Sequence, residues 1–199
     1  MVTEAEFEVP TWNQIYDLLL SQAEKIRHDG FKPDVIVGIA RGGWFSARVL
    51  SDLLEIPDLA TVTVEFYVGV AETKNEPVLT QGISAVVAGK KALIVDDVAD
   101  TGKSLKLAKD HILQKGVTEV RTATVYSKPW SVIKPDYFEK ETSVWVVFPW
   151  ETKETVRKIV EKHGDKSAIS RETAKLVKAG LPKPLAERFL KEVLGERDC

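Results

Sequence analysis

Two short apolar runs constrain this chain more than any other feature: Asp34-Val-Ile-Val-Gly-Ile-Ala40 and Ala92-Leu-Ile-Val95. Neither alternates with polar residues and both are too short for a buried helix. Each therefore reads as a strand covered on both faces. Helical patterns separate these and further strands. One opens at a Thr11/Gln14 capping box, carries Trp12, Ile15, Leu19, Ala23 and Ile26 at helical spacing, and closes at Gly30. Another runs from Arg41-Gly42-Gly43 to about Leu54, and a third from Gly102 to Gly116 with Leu105, Ala108 and Ile112 inward. Thr61–Val70, Glu119–Tyr126 and Ser143–Phe148 read as strands, and residues 71–89 as an exposed hairpin or loop around Lys74-Asn-Glu-Pro77. Strands alternating with helices of this length predict an α/β fold, an open parallel sheet with helices on both faces.

The last quarter differs. From Thr152 to Cys199 there are twelve Lys/Arg against eight Asp/Glu, a net of +4, so the −2 of the whole chain leaves −6 for residues 1–151. Three short helical patterns fill this stretch, divided by Gly164 and Gly180-Leu-Pro-Lys-Pro184. The expected division is a domain over 1–151 and a helical extension over 152–199, packed on the domain or on a second subunit. A net of +4 is a weak nucleic-acid signal. The first ten residues are acidic with no apolar core, no apolar run approaches membrane length, and Cys199 is the single cysteine. A soluble, cytoplasmic protein without a disulfide framework is expected.

Chemistry concentrates after the second run. Val95-Asp-Asp-Val-Ala-Asp-Thr-Gly-Lys-Ser104 leaves a strand's carboxyl end and turns into a helix, where ligands of open parallel sheets bind. Free amides of a helix start, the small Gly102 and the hydroxyls of Thr101 and Ser104 make a phosphate cradle. Gly102-Lys103-Ser104 is not the tail of a Walker A loop, because position 97 is Asp rather than Gly. Two acids, Asp96 and Asp97, suit a sugar phosphate, whose hydroxyls can donate to them.

This stretch resembles the phosphoribosyl pyrophosphate signature of the type I phosphoribosyltransferases: a hydrophobic run, two acids, then an acid-Thr-Gly loop. The resemblance covers roughly residues 8–151 and sharpens to the 6-oxopurine branch, the xanthine-guanine and hypoxanthine-guanine enzymes in their archaeal-like form. Ile39-Ala-Arg-Gly-Gly43 resembles that branch's pyrophosphate loop. Tyr126-Ser-Lys-Pro129 resembles the strand end whose lysine binds the purine 6-oxo group, and Val144-Trp-Val-Val-Phe-Pro-Trp-Glu151 the segment that stacks on the base.

The resemblance implies a purine salvage enzyme with the type I fold and a flexible hood over residues 66–82, Lys74 being the candidate basic contact. Its substrates would be phosphoribosyl pyrophosphate and guanine, xanthine or hypoxanthine, and its products a nucleotide and pyrophosphate. Its cofactor would be Mg2+, and its expected state a homodimer. Arg41 and Gly42 would bind pyrophosphate. Asp96 and Asp97 would hold the ribose hydroxyls, Asp97 beside the metal. Asp100, Thr101, Gly102, Lys103 and Ser104 would hold the 5′-phosphate, with Val98 and Ala99 also lining the substrate. Asp100 would take the proton from purine N7, Lys128 would read O6, Trp145 would stack and Val146 would frame C2. Glu151 stands where the branch commonly has Asp, and Val147 and Phe148 replace polar residues. Two alternatives stay open: a regulator that senses phosphoribosyl pyrophosphate and reads nucleic acid with its tail, and the same transfer to another base.

Overall fold

A computed structural model describes residues 7–67, 76–83 and 85–195. In chain order the elements are β1 (Phe7–Glu8), α1 (Trp12–His28), β2 (Val35–Ala40), α2 (Gly43–Leu53), β3 (Leu59–Tyr67), β4 (Glu76–Gln81), β5 (Lys91–Ala99), α3 (Lys103–Gln114), β6 (Glu119–Ser127), β7 (Tyr137–Glu141), β8 (Trp145–Val146), α4 (Thr152–Lys162), α5 (Lys166–Lys178) and α6 (Lys183–Gly195). The chain forms two compact units, one from residues 16–143 and the other from 1–15 with 144–199.

The larger unit is built on a six-stranded sheet of order β4-β3-β2-β5-β6-β7. All neighbours pair in parallel except β3 and β4. The expected parallel sheet thus carries one antiparallel edge strand. Residues 76–81 alternate half-buried with exposed positions, as an edge with one wet face requires. Along β2, Val35, Val37 and Ile39 share a core with Ala92 and Ile94 of β5 and with Leu105, Ala108 and Ile112 of α3. The alternate positions face α2, where a Cβ on Gly38 would lie 2.9 Å from that of Ala47. Period-two side chains thus place α3 and α2 on opposite faces.

Strand order decides where a ligand can sit. From β2 the chain crosses through α2 to β3 on one side, and from β5 it crosses through α3 to β6 on the other. The connections diverge from the carboxyl ends of β2 and β5, opening the crevice that such reversals make.

Three sequence expectations change. The strand expected from Thr61 begins at Leu59, while Val70 and Lys74 lie outside the described residues. Tyr137–Glu141 joins the sheet as β7, unforeseen because it is a polar edge strand with only Tyr137 fully buried. The strand expected over Ser143–Phe148 shrinks to Trp145–Val146, which pairs in parallel with Phe7–Glu8 in a separate two-stranded sheet. Its apolar run is buried by helices instead. Val147 shares a core with Val156, Val160, Leu176 and Val193 from α4, α5 and α6, and Phe7 and Val9 pack against it. In this smaller unit the Thr11/Gln14 capping box forms as expected, with Thr11 N–H donating to Gln14 Oε1 at 2.8 Å and Gln14 N–H to Thr11 Oγ1 at 3.2 Å.

Candidate active site

The pyrophosphate-like loop after β2 and the two acids of β5 meet at the crevice. Gly38 lies beside Val95 in register, and the loop after β2 folds back so that Gly42 meets Asp97 and Gly43 meets Asp96. The approach is so close that only glycine fits. A Cβ on Gly42 would lie 2.2 Å from Asp97 Oδ2, and one on Gly43 would lie 2.4 Å from the Val95 carbonyl oxygen. Gly42 and Gly43 are therefore spacers that bring Arg41 up to the acids. Arg41 itself is exposed at the mouth, after a cis Ala40–Arg41 peptide.

Asp96 and Asp97 are both buried, yet they sit differently. Asp96 accepts from the backbone N–H of Asp97 at 3.0 Å and from that of Gly43. Burial, and next the adjacent Asp97 charge, push its carboxyl well above the usual carboxylate range. Asp97 turns back on its own strand, its Oδ1 accepting from Val98 N–H at 2.8 Å.

The expected phosphate loop follows. Ala99 ends β5, Asp100 and Thr101 are exposed, and Gly102 precedes α3 with φ +74°, a left-handed conformation that favours glycine. The first turn of α3, with Lys103 and Ser104, points its amides out of the sheet end, where a helix has donors without intrahelical partners. Lys103 Nζ pairs with Glu76 at 2.8 Å.

A turn after β6 braces this loop. Lys128 N–H donates to the Ala99 carbonyl at 3.0 Å, and Val132 N–H to that of Thr101 at 2.9 Å. A Cβ on Gly102 would meet Ser131 Oγ at 2.3 Å. Trp130 Nε1 donates to Asp100 Oδ1 at 3.1 Å. Lys128 is only 7% exposed, which sets it apart from an ordinary solvated lysine, and its Nζ lies 5.6 Å from the Trp130 ring centroid. Arg41, Gly42, Asp96–Ser104 and Lys128 thus gather at the carboxyl ends of β2, β5 and β6. Trp130 and Ser131 went unnoticed in the sequence, since nothing local marks them beyond adjacency to Lys128-Pro129.

The remaining two predicted residues belong to the other unit. Trp145 is 53% exposed and Val146 is buried. Beyond them Glu151 is engaged locally: its Oε1 accepts from Phe148 N–H at 3.3 Å. Phe148 stacks on Trp150 at 4.9 Å, and Trp12 lies 5.5 Å from Trp150, so the residues that replace polar ones in this segment serve an aromatic and aliphatic core.

Comparison with known proteins bears on the same residues. The model of the phosphoribosyl transferase domain matches residues 10–156. The chain belongs to the phosphoribosyltransferase family. Xanthine-guanine phosphoribosyltransferase of Gluconobacter oxydans is 32% identical over 146 residues, covering 71% of this chain and 83% of that protein. The namesake enzyme of Ruegeria sp. is 32% identical over 153 residues, with the same coverage of each chain. The structure of a purine phosphoribosyltransferase from Pyrococcus horikoshii superposes with a TM-score of 0.66 at 38% identity, over 73% of this chain and 93% of that one. The protein is thus a type I phosphoribosyltransferase of the 6-oxopurine branch, as the resemblance implied. Among the described residues, no helix is long and apolar enough to cross a membrane.

Proposed function

We propose that this enzyme serves purine salvage in the cytoplasm. It moves the phosphoribosyl group of phosphoribosyl pyrophosphate onto N9 of a 6-oxopurine base (guanine, xanthine or hypoxanthine) and releases pyrophosphate. The observation that carries this reading is the convergence of three elements on one crevice: a spacer-glycine loop, a pair of buried acids, and a helix-start phosphate loop braced by a buried lysine.

Each element has a physical role. The 5′-phosphate suits the amides and hydroxyls of residues 100–104, a remote handle that fixes the sugar for attack. Asp96 and Asp97 accept from the ribose hydroxyls, which can donate to carboxyl oxygens. As pyrophosphate leaves C1 it gains charge, which Arg41 and the amides near Gly42 are placed to stabilise. Among the described residues no group of three His, Cys, Asp or Glu side chains can hold a metal by itself. The acid pair fits a magnesium ion, which Asp97 would hold. When bound, that ion neutralises charge on the leaving group. Asp100 accepts the proton from purine N7, and Lys128 meets O6. Trp145 and Val146 are assigned to the base on the match of their segment alone. The helices α4, α5 and α6 are assigned to packing rather than nucleic-acid reading, because their apolar stripes already meet in a shared core.

The test is turnover with phosphoribosyl pyrophosphate, magnesium and a panel of bases. Guanine, xanthine or hypoxanthine should give nucleotide and pyrophosphate, whereas adenine, uracil and orotate should not. Preference for one of the latter three would move the enzyme to another branch. Binding of phosphoribosyl pyrophosphate with no turnover on any base would favour the sensing regulator. Asp100→Asn should cut turnover by about 10²–10⁴-fold while keeping sugar-phosphate affinity; near-normal turnover would remove Asp100 as the base.

A further inference from the structure

Trp130 is a large aromatic residue in a turn, and 53% of it is exposed. Burial does not account for it there, since an indole left half in water forgoes much of its hydrophobic stabilisation. Both of its chemical features are instead directed at residues that follow two different strands, Asp100 after β5 and Lys128 after β6. Its only polar atom, Nε1, donates to Asp100 Oδ1 at 3.1 Å. Its ring lies beneath Lys128 Nζ, 5.6 Å from the centroid, within the range of cation–π attraction.

The backbone under Trp130 is tied to the loop it serves. Lys128 N–H and Val132 N–H, on either side, donate to the carbonyls of Ala99 and Thr101, on either side of Asp100. The indole therefore starts from a fixed place relative to that carboxylate. Asp100 is itself exposed, so without a partner its carboxylate would sample several rotamers. A proton acceptor works only within hydrogen-bond reach of the proton, in one orientation. A charge-assisted bond to Oδ1 selects that orientation and leaves Oδ2 as the accepting atom.

We propose that Trp130 is a positioning residue that couples the two ends of base recognition, aiming the Asp100 carboxylate through its N–H and seating the Lys128 ammonium on its ring. This rests on the reading of Asp100 as proton acceptor and Lys128 as the partner of O6.

Trp130→Phe keeps the ring and removes the N–H, whereas Trp130→Leu removes both. In Trp130→Phe, kcat should fall about tenfold, with KM for both substrates within about twofold of the parent. Trp130→Leu should add a rise in KM for the base, because Lys128 loses its seat. In the Asp100→Asn background, Trp130→Phe should cost no further turnover, as expected of two groups acting through one contact. Melting should change little in either variant, the side chain being half exposed. If Asp100→Asn turns over normally, the assignment of the base fails, and this inference with it. If Asp100→Asn is impaired but Trp130→Phe keeps parental kcat, or the two losses multiply in the double variant, Asp100 stands as the base and the positioning role of Trp130 is overturned.

Discussion

Two turns in this enzyme link a buried parallel strand to a helix at the same end of the sheet, and both depend on glycine, for different reasons. Gly42 has ordinary helical angles, φ −59° and ψ −48°, which any residue adopts without strain. It must be glycine because Asp97 of the neighbouring strand occupies the space a side chain would fill. Gly102 sits at φ +74°, where a side chain is strained in any surroundings, and it is crowded by Ser131 as well. One turn is shaped by its neighbour and the other by its own backbone. The first is therefore coupled to the acid pair in a way that the second is not.

That contrast can be broken by substitution. Gly42→Ala should have the larger effect. Its methyl group must displace the Asp97 carboxylate or lift the Arg41 loop, and turnover should fall on the order of 10²-fold while circular dichroism stays that of the parent. No trimming of the neighbour should restore activity, because Asp97 is the residue proposed to hold the ribose and the metal. Parental turnover in Gly42→Ala would show that the tight packing of loop on acid is dispensable.

Gly102→Ala should cost less. The left-handed backbone imposes roughly 1–2 kcal/mol, visible as a lower melting temperature, with turnover reduced about tenfold as the phosphate loop shifts. Here the nearest crowding atom is Ser131 Oγ, with Ile133 Cγ2 at 2.9 Å and Ile133 N at 3.1 Å beyond it, so adding Ser131→Ala should recover part of the melting temperature. An unchanged double variant would assign the cost to backbone conformation and the Ile133 contact rather than to Ser131.

The smallest effect lies at the far end of the helix that Gly102 begins. His111 Nε2 accepts from Ile83 N–H at 3.3 Å, and burial, followed by the Lys115 charge, lowers its pKa. The neutral ring makes this bond, so its contribution is present above the ordinary histidine value and is lost as pH falls through the lowered one. Between about pH 7.5 and pH 5.5 the parent should lose slightly more melting temperature than His111→Gln. Equal slopes would remove His111 from the anchoring of α3.

Much of this protein could be read from its residues in order. The apolar runs of β2 and β5, the capping box of α1 and the acid-Thr-Gly-Lys-Ser turn are local signals, each set by the chemistry of a few adjacent side chains. Signals that depend on a partner distant in the chain were not legible. Tyr137–Glu141 has a polar sequence and becomes β7 by pairing with β6. The apolar run around Val147 looks like a sheet strand and is buried by three helices instead. Lys128 looks like a solvated lysine until β6 and its turn bury it.

Asp96 and Asp97 show the division most directly. As letters they are the same residue twice, and only the family resemblance set Asp97 apart, as the one beside the metal. The tertiary structure separates them, because the Gly42–Gly43 loop covers Asp97 with backbone and donates an amide to Asp96. Local conformation is decided by neighbours a few bonds away and is written in the sequence. Burial, charge state and the partner of a hydrogen bond depend on what the fold brings alongside, and only the assembled sheet supplies that.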